Sequence, residues 1–389
     1  MKMRKKKELF KQLEQMEDFR RHREQIVYPQ SEILFMSLFG LMKGHTTFKG
    51  LHFYLSFNKN NKIFKKIFNK TTKIRIPVRS TLHRILTNVS HNQLEIVFRD
   101  YFKKYSDSKN IAVDGKWLNG SDVNGQYEQQ GHKSVLNILD KDTKIVLAHK
   151  FLEKGKLSEI PAFKEILKDK FFDDGGQIFT FDALLTQIDI TGAINDAKNK
   201  YIAKVKGNQK LLQEQVMLTV NNFHKPTNSY TSPLWQTENN KSVKRTVDIF
   251  QNRDCDIVMY HSDFKNIQTL IRITKEITCP ITAVVKTTVQ YLMANFKSDA
   301  KNFHDKVLQH WAVETYHYHK DMLTKEDDHI CYINPFSITL LRSFAVNLYQ
   351  LYFNKNKDNK IEDTFPTTMA NIKHVCVQSD DFTSDIFEE

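Results

Sequence analysis

Two aspartates that each close an apolar run, and a glutamate set among histidines and aromatics, are the residues whose types and spacing bear on chemistry. Asp114 follows Ile111-Ala-Val, and Asp182 follows Gln177-Ile-Phe-Thr-Phe. Glu314 lies in the stretch 310–328, where His310, Glu314, His317 and Asp321 follow an i, i+4, i+7, i+11 course and share one helix face. Alone, such a stripe is the solvated side of a half-exposed helix, and an Asp after a strand is a common turn former. The set Asp114, Asp182 and Glu314 gathered at one place has a different meaning. Three carboxylates repel one another without cations, and hard oxygen ligands of this kind suit Mg²⁺ or Mn²⁺. Two such ions, about 3.5–4 Å apart, activate a water or a 3′-hydroxyl and stabilise the leaving oxygen of an in-line displacement. The corresponding reaction is metal-dependent phosphodiester cleavage and strand transfer.

The elements that must position these residues follow from the apolar pattern. After Lys109-Asn110 the chain reads as strand (Ile111 to Val113), a hairpin of two strands (Ser134 to Leu139 and Ile145 to Phe151), a helix from about Ile160 to Lys168, a strand ending at Asp182, a helix from Gln187 to Lys198, and a strand from Tyr201 to Val205. Three meandering strands followed by a crossover that returns beside the first is the layout of an RNase H-like mixed sheet flanked by helices. In that topology Asp114 and Asp182 are neighbours. Residues 213–285 break the pattern with β-prone pieces at Thr237 to Ile249, Asp256 to His261, Leu270 to Thr274 and Ile281 to Val289, which predicts a mostly β insertion. Phe336 to Phe353 reads as a long amphipathic helix, and the polar, acidic residues 356–389 as a disordered tail.

Before Lys109 the chain is helical in character. Ser31 supplies a helix start before Ile33 to Met42, and Pro77-Val-Arg-Ser-Thr-Leu-His-Arg-Ile-Leu86 has a breaker, a Ser/Thr cap and an amphipathic helix with Arg79, His83 and Arg84 to one side, as a helix-turn-helix recognition helix would. Residues 1–105 hold 23 Lys and Arg against 8 Asp and Glu, while the rest carries 35 against 37, so the net charge of +13 is all N-terminal. A basic domain joined to a near-neutral one suits a protein that grips a polyanion with one part and acts on it with the other. This predicts three parts: a basic α-helical DNA-binding domain at 1–105, a catalytic domain at 106–355, and the tail.

Other readings are weaker. The longest apolar run, Ile33 to Met42, falls short of the roughly 20 residues a bilayer span requires, and Met-Lys-Met-Arg-Lys-Lys-Lys-Glu leads into no apolar core, so a cytoplasmic location with no membrane association is expected. Cys255, Cys279, Cys331 and Cys376 are scattered without Cys-x-x-Cys spacing, which points away from a zinc ribbon or a disulfide framework. Glu314-Thr-Tyr-His317 and Glu326-Asp-Asp-His329 look like di-iron Glu-x-x-His pairs, yet those centres need pairs on two helices and further glutamates from others. Zinc at His310 and His317 lacks a partner set.

The chain resembles the DDE insertion-sequence transposases of the H-repeat-associated group. The resemblance rests on Asp18-Phe-Arg-Arg-His-Arg, Ile111-Ala-Val-Asp-Gly-Lys116, Lys156-Leu-Ser-Glu-Ile-Pro161, Thr180-Phe-Asp-Ala-Leu-Leu-Thr-Gln187, Lys204-Val-Lys-Gly-Asn-Gln209, and His310-Trp-Ala-Val-Glu314 running on to Lys325-Glu-Asp327, in the family's order. It implies Asp114, Asp182 and Glu314 as catalytic metal ligands, and Lys116, Gln187, Lys206, Asn208 and Gln209 along the active site or the DNA path. Lys320 matches the family's basic position after the glutamate, where its charge would steady a phosphate, although it reads equally as a solvated surface residue. His310, His317 and Asp321 are supporting or DNA-contact candidates, as are Arg79 and Arg84. Departures are Leu-Ser after Lys156, where a polar residue and Asn are usual, and Thr315, where Asn is common. The implied partners are double-stranded DNA, as terminal inverted repeats and target, and a second copy of the chain to pair two ends. The implied setting is the prokaryotic nucleoid. The alternatives are a catalytically silent or repurposed DNA-binding protein and a host-serving nuclease without strand transfer.

Overall fold

The computed structural model describes all residues except 1, 22, 108, 120–132, 153–158, 169–174, 223–224, 237–240, 280, 329–333, 358–367 and 388–389. In chain order the elements are α1 (Lys2–Glu14), α2 (Gln30–Met42), α3 (Phe48–Phe57), α4 (Lys62–Ile67), α5 (Arg79–Asn88), α6 (His91–Lys103), β1 (Asn110–Trp117), β2 (Ser134–Asp140), β3 (Val146–Leu152), α7 (Glu159–Leu167), β4 (Ile178–Phe181), α8 (Ile188–Asp196) and β5 (Lys200–Val205). They continue as α9 (Lys210–Asn222), β6 (Asn228–Thr231), β7 (Trp235–Gln236), β8 (Ser242–Gln251), α10 (Arg253–Tyr260), β9 (Thr269–Thr278), β10 (Val285–Ala294), α11 (Ala300–His310), α12 (Ala312–Thr324), α13 (Phe336–Asn356), α14 (Met369–Gln378) and α15 (Asp380–Ile386). The chain forms two compact units: one of Met1–Asp107, Gly115–Lys156 and Glu314–Glu389, the other of Ser108–Asp114 and Leu157–Val313.

In the first unit the helices gather around α2 and α13. Every residue of α2 is buried, as its run of Ile, Leu, Phe and Met on all sides demands. Its start is set by Pro29, with φ −56°, and not by Ser31, whose side chain caps nothing there. At Gly40 an added Cβ would stand 2.9 Å from both Leu51 Cδ2 and Tyr54 Cδ1, so the close approach of α3 requires glycine. Helix α13 is buried from Phe336 to Tyr352 and is not amphipathic, because α2, α5, α6, α14 and β3 all pack on it. Asn347 locks it to β3: its Nδ2 donates to Val146 O at 2.8 Å and its Oδ1 accepts from Val146 N at 3.0 Å. β2 and β3 form the expected antiparallel hairpin, and Leu118 N, just beyond β1, donates to Lys133 O before β2.

The C-terminal residues correct the expectation of a disordered tail. They form α14 and α15, each opened by a capping hydroxyl, Thr368 accepting from Asn371 N and Ser379 from Phe382 N. Phe387 is fully buried, stacked on Phe39 at 4.9 Å and 5.4 Å from Phe35. Composition suggested disorder, but a few apolar residues at the right places, with Asp380 paired to Lys43 at 2.7 Å and bonded by Asn61 Nδ2 at 3.1 Å, are enough to dock the segment.

The second unit is a mixed sheet of order β1-β4-β5-β10-β9-β8-β6, with β7 also on β8. β1, β4 and β5 run parallel, and β10, β9 and β8 continue as an antiparallel meander. Helix α11 packs over β4, β6 and β8, and its Phe303 joins Val247, Ile249, Ile271, Ile273 and Leu292 in the core. The segment expected to be mostly β holds β6 to β9 and the first residue of β10, with two corrections: residues 213–222 belong to α9, and residues 256–261, expected as a strand, fall in and just after α10. Cys255 and Val258 are buried three residues apart, a helical spacing that the short β-prone window disguised.

Candidate active site

Parallel pairing decides where the two aspartates go. β1 and β4 are in register from Asn110↔Ile178 to Val113↔Phe181, so the next residue on each strand is Asp114 and Asp182. Adjacent strands lie about 4.8 Å apart, so Asp114 and Asp182 stand on neighbouring strands, as the strand order predicted; only Asp182 lies just past a strand end, because β1 runs on to Trp117 and keeps Asp114 inside it, where a strand ending at Val113 was expected. Asp114 is half-buried.

Asp182 is fixed by the turn that follows it. Its side chain accepts from Ala183 N at 2.7 Å, and its backbone carbonyl accepts from Leu185 N, closing a tight turn over Ala183–Leu185. Lys206 Nζ lies 3.5 Å and Lys204 Nζ 4.0 Å from Asp182 Oδ1. Partial burial pushes the carboxyl pKa up, but the Ala183 N–H and the two lysines outweigh it, so the pKa falls below the usual aspartate value and the group stays ionised.

Gln187, Lys206, Asn208 and Gln209 are drawn together around this turn. Asn208 Nδ2 donates to Ala183 O at 2.6 Å, Gln209 Nε2 to Thr186 O at 3.1 Å and to Gln187 Oε1 at 3.0 Å, and Gln187 Nε2 to Leu184 O at 3.0 Å. Thr186 Oγ1 donates to Lys204 O at 2.7 Å. The amides thus brace the backbone that presents Asp182. Sequence reasoning missed Lys204; His310, a candidate from its place in the stripe, meets Thr180 Oγ1 through Nδ1 at 3.0 Å, which ties the end of α11 to β4 two residues before Asp182. The Lys-x-Lys spacing held the signal for Lys204, since alternate residues of a strand share a face.

The stripe from His310 to Asp321 is not one helix. Trp311 caps α11, and α12 begins at Ala312 with Glu314 exposed in its first turn. Glu314 belongs to the first unit, Asp114 and Asp182 to the second. His317 Nε2 lies 2.9 Å from Asn137 Nδ2. Arg79 and Arg84 are exposed on α5, whereas His83 packs 4.5 Å from Phe48, and α5 is capped by no Ser or Thr side chain. The motif at 156–161 lies partly outside the described residues.

Lys116, Lys320 and Asp321 meet in a buried charge cluster of the first unit. Lys116 Nζ is 2.9 Å from Asp321 Oδ1, 3.2 Å from Asp327 Oδ2 and 3.8 Å from Glu326 Oε2, and Asn119 Nδ2 donates to Asp327 Oδ2 at 3.0 Å. Lys320 is wholly buried, 3.1 Å from Glu326 Oε1. It is therefore neither a solvated surface residue nor a group exposed to a phosphate: its ammonium faces the chain's own carboxylate. Ligand atoms of Asp321, Glu326 and Asp327 lie within 4.8 Å of one another, a spacing a metal ion would fit. The ammonium of Lys116 already stands among them, and with Lys320 and Arg342 nearby the charges balance without an ion. Burial works to raise the Glu326 pKa, but Lys320, Lys116 and Arg342 hold it below the usual range. Asp321 goes the other way, to about 6, because burial and the charges of Asp327 and Glu326 outweigh Lys116.

Known protein families match this chain over most of its length. The model described as "Transposase DDE domain" matches residues 105–346, and one described as "DDE_Tnp_1-associated" matches residues 10–102. The chain is 26% identical over 265 residues to "Putative transposase YncI" of Escherichia coli O157:H7, covering 65% of each protein, and 31% identical over 137 residues to the protein of the same name in strain K12, covering 34% of this chain and 53% of the relative. "H repeat-associated putative transposase YhhI" of strain K12 is 22% identical over 263 residues, covering 65% of this chain and 67% of the relative. The chain thus spans a little under two thirds, and about half, of the two YncI relatives. The cryo-EM structure of the piggyBac transposase synaptic complex with hairpin DNA aligns with 98% of this chain and 78% of its own at a TM-score of 0.48 and 12% identity. With the matched residues covering its strand–helix core and both Asp114 and Asp182, the chain belongs to the DDE transposase family.

Proposed function

We propose that this protein cuts DNA at the ends of an insertion element and joins the freed 3′ ends to target DNA. The observation that carries the reading is the β1–β4 register, which sets Asp114 and Asp182 side by side within the family-matched residues. The donor set fits Mg²⁺ or Mn²⁺: hard carboxylate oxygens on adjacent parallel strands, one of them held ionised and half-exposed. Asp114, Asp182 and Glu314 are the residues that would hold the metal, as two ions. When bound, such ions supply the charge that activates a water or 3′-hydroxyl and steadies the leaving oxygen. Lys206, half-exposed beside Asp182, is placed to attract a phosphodiester to the same edge. Gln187, Asn208 and Gln209 act as positioning residues, bracing the turn that aims Asp182. The basic N-terminal helices, with Arg79 and Arg84 outward, are assigned to holding duplex DNA, and a dimer to pairing two ends.

The test is Mg²⁺-dependent cleavage and joining on duplexes taken from the sequence flanking the gene, with Asp182→Asn and Glu314→Gln alongside. Each variant should lose activity by about 100-fold or more while still binding DNA. Equal traces for wild type and variants would overturn the enzyme reading and leave a DNA-binding protein; cutting without joining would leave a nuclease.

A further inference from the structure

Strands β8 and β9 place charged residues opposite one another at three positions, and one breaks the rule of the other two. Lys244 faces Glu276, and Asp248 faces Arg272 in an ion pair of 2.8 Å. Between them Arg245 faces Lys275, two cations directly across an antiparallel pair, an arrangement that costs stability. Neither has a carboxylate within ion-pair distance among the described residues. Arg245 is 7% exposed as a residue, and Lys275 is half-buried. Burial lowers the pKa of both groups, and Arg245 lowers that of Lys275 further. The side chains of both sit against one indole: the Arg245 guanidinium carbon and the Lys275 ammonium each lie 5.5 Å from the centre of the Trp311 ring.

Trp311 itself is 45% exposed. It follows His310, whose ring meets Thr180 two residues before Asp182. The cation pair therefore lies beneath the turn of chain that is tied to the aspartate-bearing strand. A cation held over an aromatic face still has N–H donors to offer an oxyanion. Two cations facing each other without an acid are stabilised by a shared anion, and a phosphodiester supplies one whose oxygens reach both.

We propose that Arg245 and Lys275, walled by Trp311, form a phosphate subsite that holds the DNA backbone on the same unit as Asp114 and Asp182. This rests on the DNA-processing reading above and assigns that activity a binding contact on the β-rich segment. The anion completes the charge balance that the sheet leaves open, and the Trp311 ring fixes the two cations in place before DNA arrives.

The experiment uses the full chain and a 40-base-pair duplex of mixed sequence in EDTA, so that binding is read without cleavage. Anisotropy titrations are run across a KCl series for wild type, Arg245→Gln with Lys275→Gln, Arg245→Lys, and a control lacking two exposed cations of the same unit, Lys265→Gln with Lys301→Gln. The first double variant should bind more weakly, with a log–log salt slope smaller by about 1–2, since each phosphate contact contributes roughly 0.9. Arg245→Lys should keep most of the slope. The melting temperature of the double variant should equal or exceed that of wild type, because like-charge repulsion is removed. An unchanged slope, or a loss no greater than in the control, overturns the subsite. So does a lower melting temperature with an unchanged slope, which would make Arg245 a packing residue only. Displacement of wild-type DNA by millimolar inorganic phosphate, beyond the effect of matched KCl and abolished in the double variant, supports a phosphate site; a phosphate response retained in the double variant overturns it. Loss of cleavage in Asp182→Asn with an unchanged binding slope keeps the enzyme reading and this subsite separately decidable.

Discussion

Asp321 and Glu326 sit in one cluster and are moved in opposite directions, which separates their contributions to stability. The Asp321 carboxyl has its pKa raised to about 6 against an ordinary value of 3.8. Between those values the folded protein binds more protons than the unfolded chain, so this group makes stability fall as pH rises from about 4 to about 6, and adds no further slope above that. Asp321→Asn should flatten that window in a plot of melting temperature against pH; a window of unchanged slope would count against the assignment. Glu326 has the lowered pKa, and its stabilising share is present above the ordinary glutamate value and is lost as pH falls through the folded one. With Lys320 wholly buried against it, Glu326→Gln leaves an ammonium without its counter-charge, which should cost on the order of 3–5 kcal/mol in urea unfolding. A cost below about 1 kcal/mol would mean that Asp321 or Asp327 rearranges to supply the counter-charge.

Among the elements, the C-terminal pair α14 and α15 departs most from expectation. The acids of the segment suggested disorder, yet Asp380 is held by Lys43 and Asn61, and the Phe387 ring closes the core over Phe35 and Phe39. Phe387→Ala removes a fully buried ring and should lower stability by about 3–5 kcal/mol. Thermal unfolding checks this, and an unshifted midpoint would mean that α15 docks independently of the core. The break at Trp311 matters in a similar way. By ending α11 before α12 starts, it gives His310 and Trp311 to the sheet of the second unit and Glu314 to the first. Two helices thereby divide a stripe that looked continuous.

At the scale of the whole molecule, charge and family membership make the main prediction. With 23 basic against 8 acidic residues in 1–105, DNA binding should neutralise many phosphates. Affinity for duplex should fall steeply with salt, by roughly 10³-fold between 50 and 200 mM for about six contacts, and anisotropy titrations measure it. A shallow dependence would remove the N-terminal helices from the DNA path. Among the described residues no helix is long and apolar enough to cross a membrane.

What the sequence determined by itself was local: apolar runs ending in Asp114 and Asp182, the order of strands and helices between them, and the excess of positive charge before residue 106. Strand order and side-by-side aspartates follow from these because a parallel crossover admits few topologies. The tertiary structure alone decided the pairings between residues distant in the chain. Lys116 and Asp321 are 205 positions apart, and nothing in either neighbourhood names the other. Lys320 looked like a surface lysine because burial is a property of what packs over a residue, not of its own window. The facing cations Arg245 and Lys275 depend on the register between β8 and β9, which hydrogen bonding across the whole sheet fixes. Shifting that register by one residue would turn the pair to opposite faces and dissolve it.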